Sequence, residues 1–107
     1  MFYRDDEKRI YFLFNDLTWL AVDDAWVSSA PVDSCPSITV GSGLVKPQRG
    51  FGKVWCEQPT LRAKLGAATA TERGLYSAQT QRFERGQMFA GEPSSQVFVL
   101  YADGKWE

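Results

Sequence analysis

Histidine is absent from the 107 residues, which removes the commonest general base and the commonest metal ligand together. The side chains left for chemistry are the glutamates Glu72 and Glu84, the cysteines Cys35 and Cys56, and the larger aromatics. Two glutamates can hydrolyse a glycosidic bond when one carboxyl is the acid and the other the base or nucleophile. Glu72 lies in an Ala/Thr/Gly stretch and reads more simply as a loop or capping residue. Glu84, flanked by Arg82 and Arg85, reads as a solvent-side partner next to a turn. No serine sits in a Gly-x-Ser-x-Gly elbow, since Gly41-Ser42-Gly43 lies in a loop with no following helix. Gly50-Phe51-Gly52 lacks the third glycine and the preceding strand of a dinucleotide site. The expectation is a non-catalytic chain with no catalytic residue, metal site or cofactor.

Cys35 and Cys56 cannot complete a tetrahedral zinc site without histidine partners. They read as a disulfide in an oxidising compartment, or as two buried thiols in the cytosol. A bridge would tie down the long loop between them, closing about 22 residues and contributing about 3 kcal/mol on the chain-entropy model. Of the four tryptophans, Trp19 and Trp106 occupy matching places in two similar segments and read as core. Trp26 and Trp55 lie outside those segments, and either could be an exposed platform for a sugar ring, with Tyr76 beside it. Trp55 also shares a helical face with Phe51, so the competing reading is a buried anchor holding a helix on a sheet.

Charge narrows the partners. A net charge of -1 argues against nucleic acid, which needs a concentrated basic surface. Residues 1–34 hold seven acids against three bases, and residues 46–85 eight bases against three acids. That asymmetry would orient unlike ends if copies stack. No apolar run approaches the length of a membrane span, so the chain is not expected to span one. Met1-Phe2-Tyr3-Arg4-Asp5-Asp6-Glu7 has neither the basic start nor the apolar stretch of a signal peptide. Export therefore implies a longer parent chain.

The elements that must carry these residues come from an internal similarity. Residues 1–19 match residues 88–106 without a gap, with identities Met1/Met88, Phe2/Phe89, Leu13/Leu100, Asp16/Asp103 and Trp19/Trp106. Each copy reads as a β-meander: a short strand, a polar turn (residues 91–95 in the second copy), an apolar strand, a tight turn and a third strand opening at the tryptophan. Asp103-Gly104 suits a two-residue hairpin with positive φ at both positions. Leu17 stands where the second copy has Gly104, so the spacing predicts a longer, different turn over Asn15-Asp16-Leu17-Thr18. The segmentation that follows is a meander over 1–26, the tail of a preceding unit, then a linker over 27–49 rich in Pro, Ser and Gly. Residues 50–107 hold a helical pair, a strand from 75 to 84 and the second meander. Phe51, Val54 and Trp55 share one helical face, Pro59 opens the second helix, Leu61 and Leu65 face inward, and Gly66 ends it. The fold class expected is α+β, mainly antiparallel β, with two equivalent meanders flanking a linker and a short helical pair. Both ends then belong to one repeated motif, as in a fragment of a longer array whose apolar strands pair with neighbouring copies.

Gly50-Phe51-Gly52-Lys53-Val54-Trp55, Leu65-Gly66, Thr69, Glu72, Gln81-Arg82-Phe83-Glu84-Arg85-Gly86 and Met88 resemble the LGFP-type repeats of bacterial envelope and secreted proteins. They are more similar still to a longer variant with an RGFGKVW…LG-AT…FERG-M…VLY-DG-W frame. The resemblance covers roughly residues 49–106, with the preceding unit's tail in 1–26. Leu65-Gly66-Ala67-Ala68 stands where the named repeat has Leu-Gly-Phe-Pro. It implies an extracellular or cell-surface setting and association with cell-wall polymer or glycan, and supplies no catalytic residue. The alternative expectation is a structural subunit that self-associates through its meanders into a surface assembly or filament.

Overall fold

A computed structural model describes residues 1–74, 76–92 and 96–107, apart from the side chains at 76, 77 and 92. The fold is α+β and mainly antiparallel β, with two three-stranded sheets and two short helices. The chain divides into two compact units, one of residues 1–11 and 21–72, the other of residues 12–20 and 73–107. These units cut across the segmentation read from sequence, because residues 12–20 group with the C-terminal third. No helix among the described residues is long and apolar enough to cross a membrane.

The first sheet has the order β1-β2-β3, from β1 (Phe2–Arg4), β2 (Arg9–Leu13) and β3 (Trp19–Asp23). The central place of β2 explains why Ile10, Tyr11 and Phe12 are all buried in an unbroken apolar run. Phe2 pairs with Tyr11 and Arg4 with Arg9 across β1 and β2. Arg4 is buried to 7% exposure, and its guanidinium forks onto both Asp6 carboxylate oxygens at 3.1 and 2.7 Å. It also lies 5.9 Å from the Tyr11 ring centroid, so its charge is met by a carboxylate and an aromatic face.

The same unit carries α1 (Arg49–Glu57) and α2 (Pro59–Leu65), whose buried side chains are Val54, Trp55 and Leu61. Pro59 occupies the first turn of α2, where a missing N–H costs nothing, and Gly66 closes it with its N–H on the Arg62 carbonyl at 2.8 Å. Gly52 is required by a close approach: a Cβ there would lie 2.5 Å from the Pro47 carbonyl oxygen. The preceding connector is stapled to α1 by a Cys35–Cys56 disulfide, with Cα atoms 5.6 Å apart. Lys46 braces the same loop, donating to Asp33 and to the Cys35 carbonyl at 2.9 Å each.

The second unit holds the sheet β4-β5-β6, from β4 (Tyr76–Phe83), β5 (Gly86–Glu92) and β6 (Val97–Tyr101). Of the sequence expectations, Leu75 at the start of the strand and 93–95 of the polar turn lie outside the described residues. The register of β5 on β6 reproduces that of β1 on β2 at an offset of 87: Phe89 faces Phe98 as Phe2 faces Tyr11. Both pairs stack with ring centroids 4.9 Å apart.

The tight turns correct the sequence reading twice. Gly104 has φ 88°, whereas Asp103 is not among the positive-φ residues, so the Asp-Gly pair is not a two-residue turn with both φ positive. Leu17, expected to force a longer turn, has φ 66° and makes the same turn as Gly104. Its N–H reaches the Phe14 carbonyl at 3.0 Å, and Gly104 reaches Tyr101 at 3.1 Å. Phe14 N–H bonds to Thr18 O at 2.9 Å, and Tyr101 N–H to Lys105 O at 2.8 Å. Each is a turn followed by one left-handed residue, a three-residue hairpin loop. The physical reason is the aspartate one position earlier: Asp16 and Asp103 each accept the N–H two residues on, at 3.1 Å. That bond fixes the loop and holds leucine where its side chain is disfavoured.

Candidate functional site

Within the second unit the two turns clasp one another reciprocally. Trp19 Nε1 donates to the Tyr101 carbonyl at 2.7 Å, and Trp106 Nε1 donates to the Phe14 carbonyl at 2.9 Å. The backbone repeats the exchange, Trp19 N–H to Gly104 O and Trp106 N–H to Leu17 O, both at 2.8 Å. Thr18 and Lys105 form an antiparallel bridge at the centre. Each donor and acceptor maps onto its counterpart at the offset of 87, so the contact is an isologous, two-fold arrangement made inside one chain.

Beside this clasp lies an open groove of about 350 Å³ lined by Leu17, Tyr101, Asp103, Lys105, Trp106 and Glu107. Its wall is aromatic and aliphatic, while the polar groups are two carboxylates, an ammonium and a phenol. The Tyr101 hydroxyl donates to Glu107 Oε1, and this bond, more than the surrounding carboxylate charge, holds the phenol above its ordinary ionisation range. The Trp106 ring is fixed by its indole bond and by a tilted contact with Phe98 at 6.2 Å between centroids. An aromatic ring fixed in a groove that two carboxylates also line suits a sugar, whose C–H face packs on the aromatic while its hydroxyls donate to oxygen.

The residues singled out from sequence fall elsewhere. Trp55 is 4% exposed, donates its Nε1 proton to the Gly66 carbonyl at 2.8 Å and carries the Arg62 guanidinium 5.5 Å above its ring. A sugar platform at Trp55 is therefore overturned, because its ring is an anchor in the helical core. Trp26 is half-buried, and its Nε1 bonds to the Pro31 carbonyl at 3.0 Å, bracing the connector. The side chain of Tyr76 lies outside the described residues. Glu72 and Glu84 are both exposed, one in each compact unit, and neither lines the groove.

Asp33 lies with Cys35 and Cys56 in a cluster of metal-ligating types, but both sulfurs are consumed in the disulfide. The Asp33 carboxylate is engaged by Lys46 and by the Cys35 N–H, which hold it below its ordinary range. The groove itself was missed from sequence because Trp106 was read only as core. The usable signal was the concentration of Tyr101, Asp103, Lys105, Trp106 and Glu107 about one tight turn, which keeps aromatic and charged side chains within a single hairpin. No protein-family model, curated protein or solved structure matches this chain.

Proposed function

We propose that the chain is a non-catalytic module of an exported protein that binds cell-wall polymer or another extracellular glycan. The observation that carries this reading is the groove: Tyr101 and Trp106 flanked by Asp103, Lys105 and Glu107. The disulfide supports an oxidising setting. The resemblance to LGFP-type repeats and the equivalence of the two turns support a module built from repeat units. A non-enzymatic role is favoured by the lack of histidine and of any nucleophile motif.

A second reading, a structural unit that associates with its neighbours, is favoured by an exposed apolar sheet face rather than by strand edges. The strands first suspected of edge pairing are engaged within the chain: β2 is central, and β6 has its Val99 and Tyr101 N–H groups on Glu107 O and Lys105 O at 2.9 and 2.8 Å.

The test is retention on purified bacterial cell-wall polysaccharide, followed by calorimetry with oligosaccharides cut from it. A single shallow groove should give a dissociation constant on the order of 0.1–1 mM for a short ligand. Tyr101→Ala and Glu107→Gln should each weaken it roughly tenfold while leaving the fold intact. Retention that is absent, or unchanged in both variants, sinks the groove as the binding site.

A further inference from the structure

We infer that the groove beside Trp106 selects a glycan with free ammonium groups, an amino sugar lacking its acyl cap, over acetamido sugars and anionic polymers. The inference rests on the glycan reading and names the class of sugar that the same groove takes.

A sugar hydroxyl both donates and accepts, so a groove that binds neutral sugars does best with donors and acceptors in balance. Here the donors are engaged inside the chain. The Trp106 indole donates to the Phe14 carbonyl at 2.9 Å, and the Tyr101 phenol donates to Glu107. The backbone N–H groups of Leu17, Tyr101, Trp106 and Glu107 reach carbonyl oxygens at distances from 2.8 to 3.0 Å. The Lys105 N–H goes to Asp103 Oδ1 at 3.1 Å. Among the described residues that line the groove, the side-chain donor left for a ligand is the Lys105 ammonium.

Acceptors remain in excess. Asp103 engages one carboxylate oxygen with the Lys105 N–H, Glu107 engages one with the phenol, and each keeps the other. Two carboxylates against one ammonium leave the groove with a net negative charge. A ligand that fits this balance brings donors and positive charge. A sugar ammonium has three N–H donors, and it is attracted to the face of an indole as well as to carboxylates. An acetamido group has one donor and a carbonyl that Lys105 alone could serve. A phosphate or uronate polymer meets like charge.

The clasp does not account for these polar groups. At the offset of 87, Tyr101, Lys105 and Glu107 correspond to Phe14, Thr18 and Leu20. The first copy makes its half of the clasp with those three, through the same indole and backbone bonds. The phenol, the ammonium and the second carboxylate are therefore additions to one copy of a shared frame, and all three line the groove.

The experiment titrates the full chain at about pH 6, where carboxylates are ionised and amines protonated, using isothermal calorimetry. The probes are the tetrasaccharides of glucosamine, of N-acetylglucosamine and of galacturonic acid. An ion pair at an exposed site changes affinity about threefold, so two carboxylates should favour the glucosamine probe about tenfold over the acetylated one. The galacturonic acid probe should give no binding heat. Asp103→Asn keeps an oxygen for the Lys105 N–H and should cut the preference about threefold, whereas Lys105→Met should tighten glucosamine binding by about as much. Equal or tighter binding of the acetylated probe overturns the inference and leaves the glycan reading standing. Glucosamine binding that neither variant changes also overturns it, because the cation then sits outside the groove. If none of the three probes binds while retention on wall polysaccharide persists, the inference alone fails. If retention is lost too, the glycan reading fails with it.

Discussion

Replacing either clasp tryptophan by phenylalanine, Trp19→Phe or Trp106→Phe, removes one indole donor and keeps an aromatic ring. The lost bonds are 2.7 and 2.9 Å long, and a hydrogen bond of this kind contributes about 1 kcal/mol net. The smaller ring gives up roughly 1 kcal/mol more of buried apolar area. Each variant should therefore lose about 2 kcal/mol, which at a urea dependence of about 1.5 kcal/mol/M lowers the unfolding midpoint by roughly 1 M. The two losses should agree within about 0.5 kcal/mol, because each indole occupies the counterpart of the other's position. In the double variant the second loss should be smaller than the first, since either donor closes the same clasp, and the total should come to about 3 kcal/mol. Urea unfolding followed by far-ultraviolet circular dichroism measures all three without relying on tryptophan emission. The reasoning is refuted if one single variant unfolds at the wild-type midpoint while the other loses 2 kcal/mol, since equivalent positions would then not be equivalent.

Cys35→Ser with Cys56→Ser should cost about 3 kcal/mol and lower the thermal midpoint by roughly 10–20 °C, and reducing the wild-type chain should reproduce the shift; unchanged midpoints in scanning calorimetry would reject the bridge as a staple. Asp33 is held below its ordinary value of 3.8, first by the Lys46 hydrogen bond, so its contribution to stability is present above about pH 4 and lost as pH falls through the lowered value. Wild type and Lys46→Met should accordingly differ most in urea midpoint at pH 6, with the gap narrowing as pH falls below about 4 toward the part that the Lys46 bond to the Cys35 carbonyl contributes, and a gap that widens in acid would contradict the assignment.

The meanders, the two helices and the disulfide were legible because each rests on a local signal: strand pattern, Pro59 and Gly66 at the helix ends, and a cysteine pair beside a long loop. The turn at Leu17 was not, since a leucine at positive φ contradicts its intrinsic preference and only the Asp16 side-chain bond accounts for it. Trp55 illustrates a related gap. Spacing placed it on a helical face with Phe51, but whether that face met a core or solvent depended on residues distant in the chain. The groove was hidden for the same reason, as Leu17 and Trp106 converge only after two turns meet across 87 positions of sequence. The exposed face of β4-β5-β6 could not be distinguished from its buried counterpart in β2, since apolar residues at matching positions look alike until burial is known.

The most direct test of the account is a titration of isotopically labelled chain with cell-wall oligosaccharide, followed by amide and indole nuclear magnetic resonance. The account predicts saturable shifts confined to the backbone of Tyr101, Asp103, Lys105 and Glu107 and to the Trp106 indole, while the Trp55 indole, buried on Gly66, stays in place. Saturable shifts that centre on Trp26 or Trp55, or no saturable shift at millimolar ligand, would contradict it.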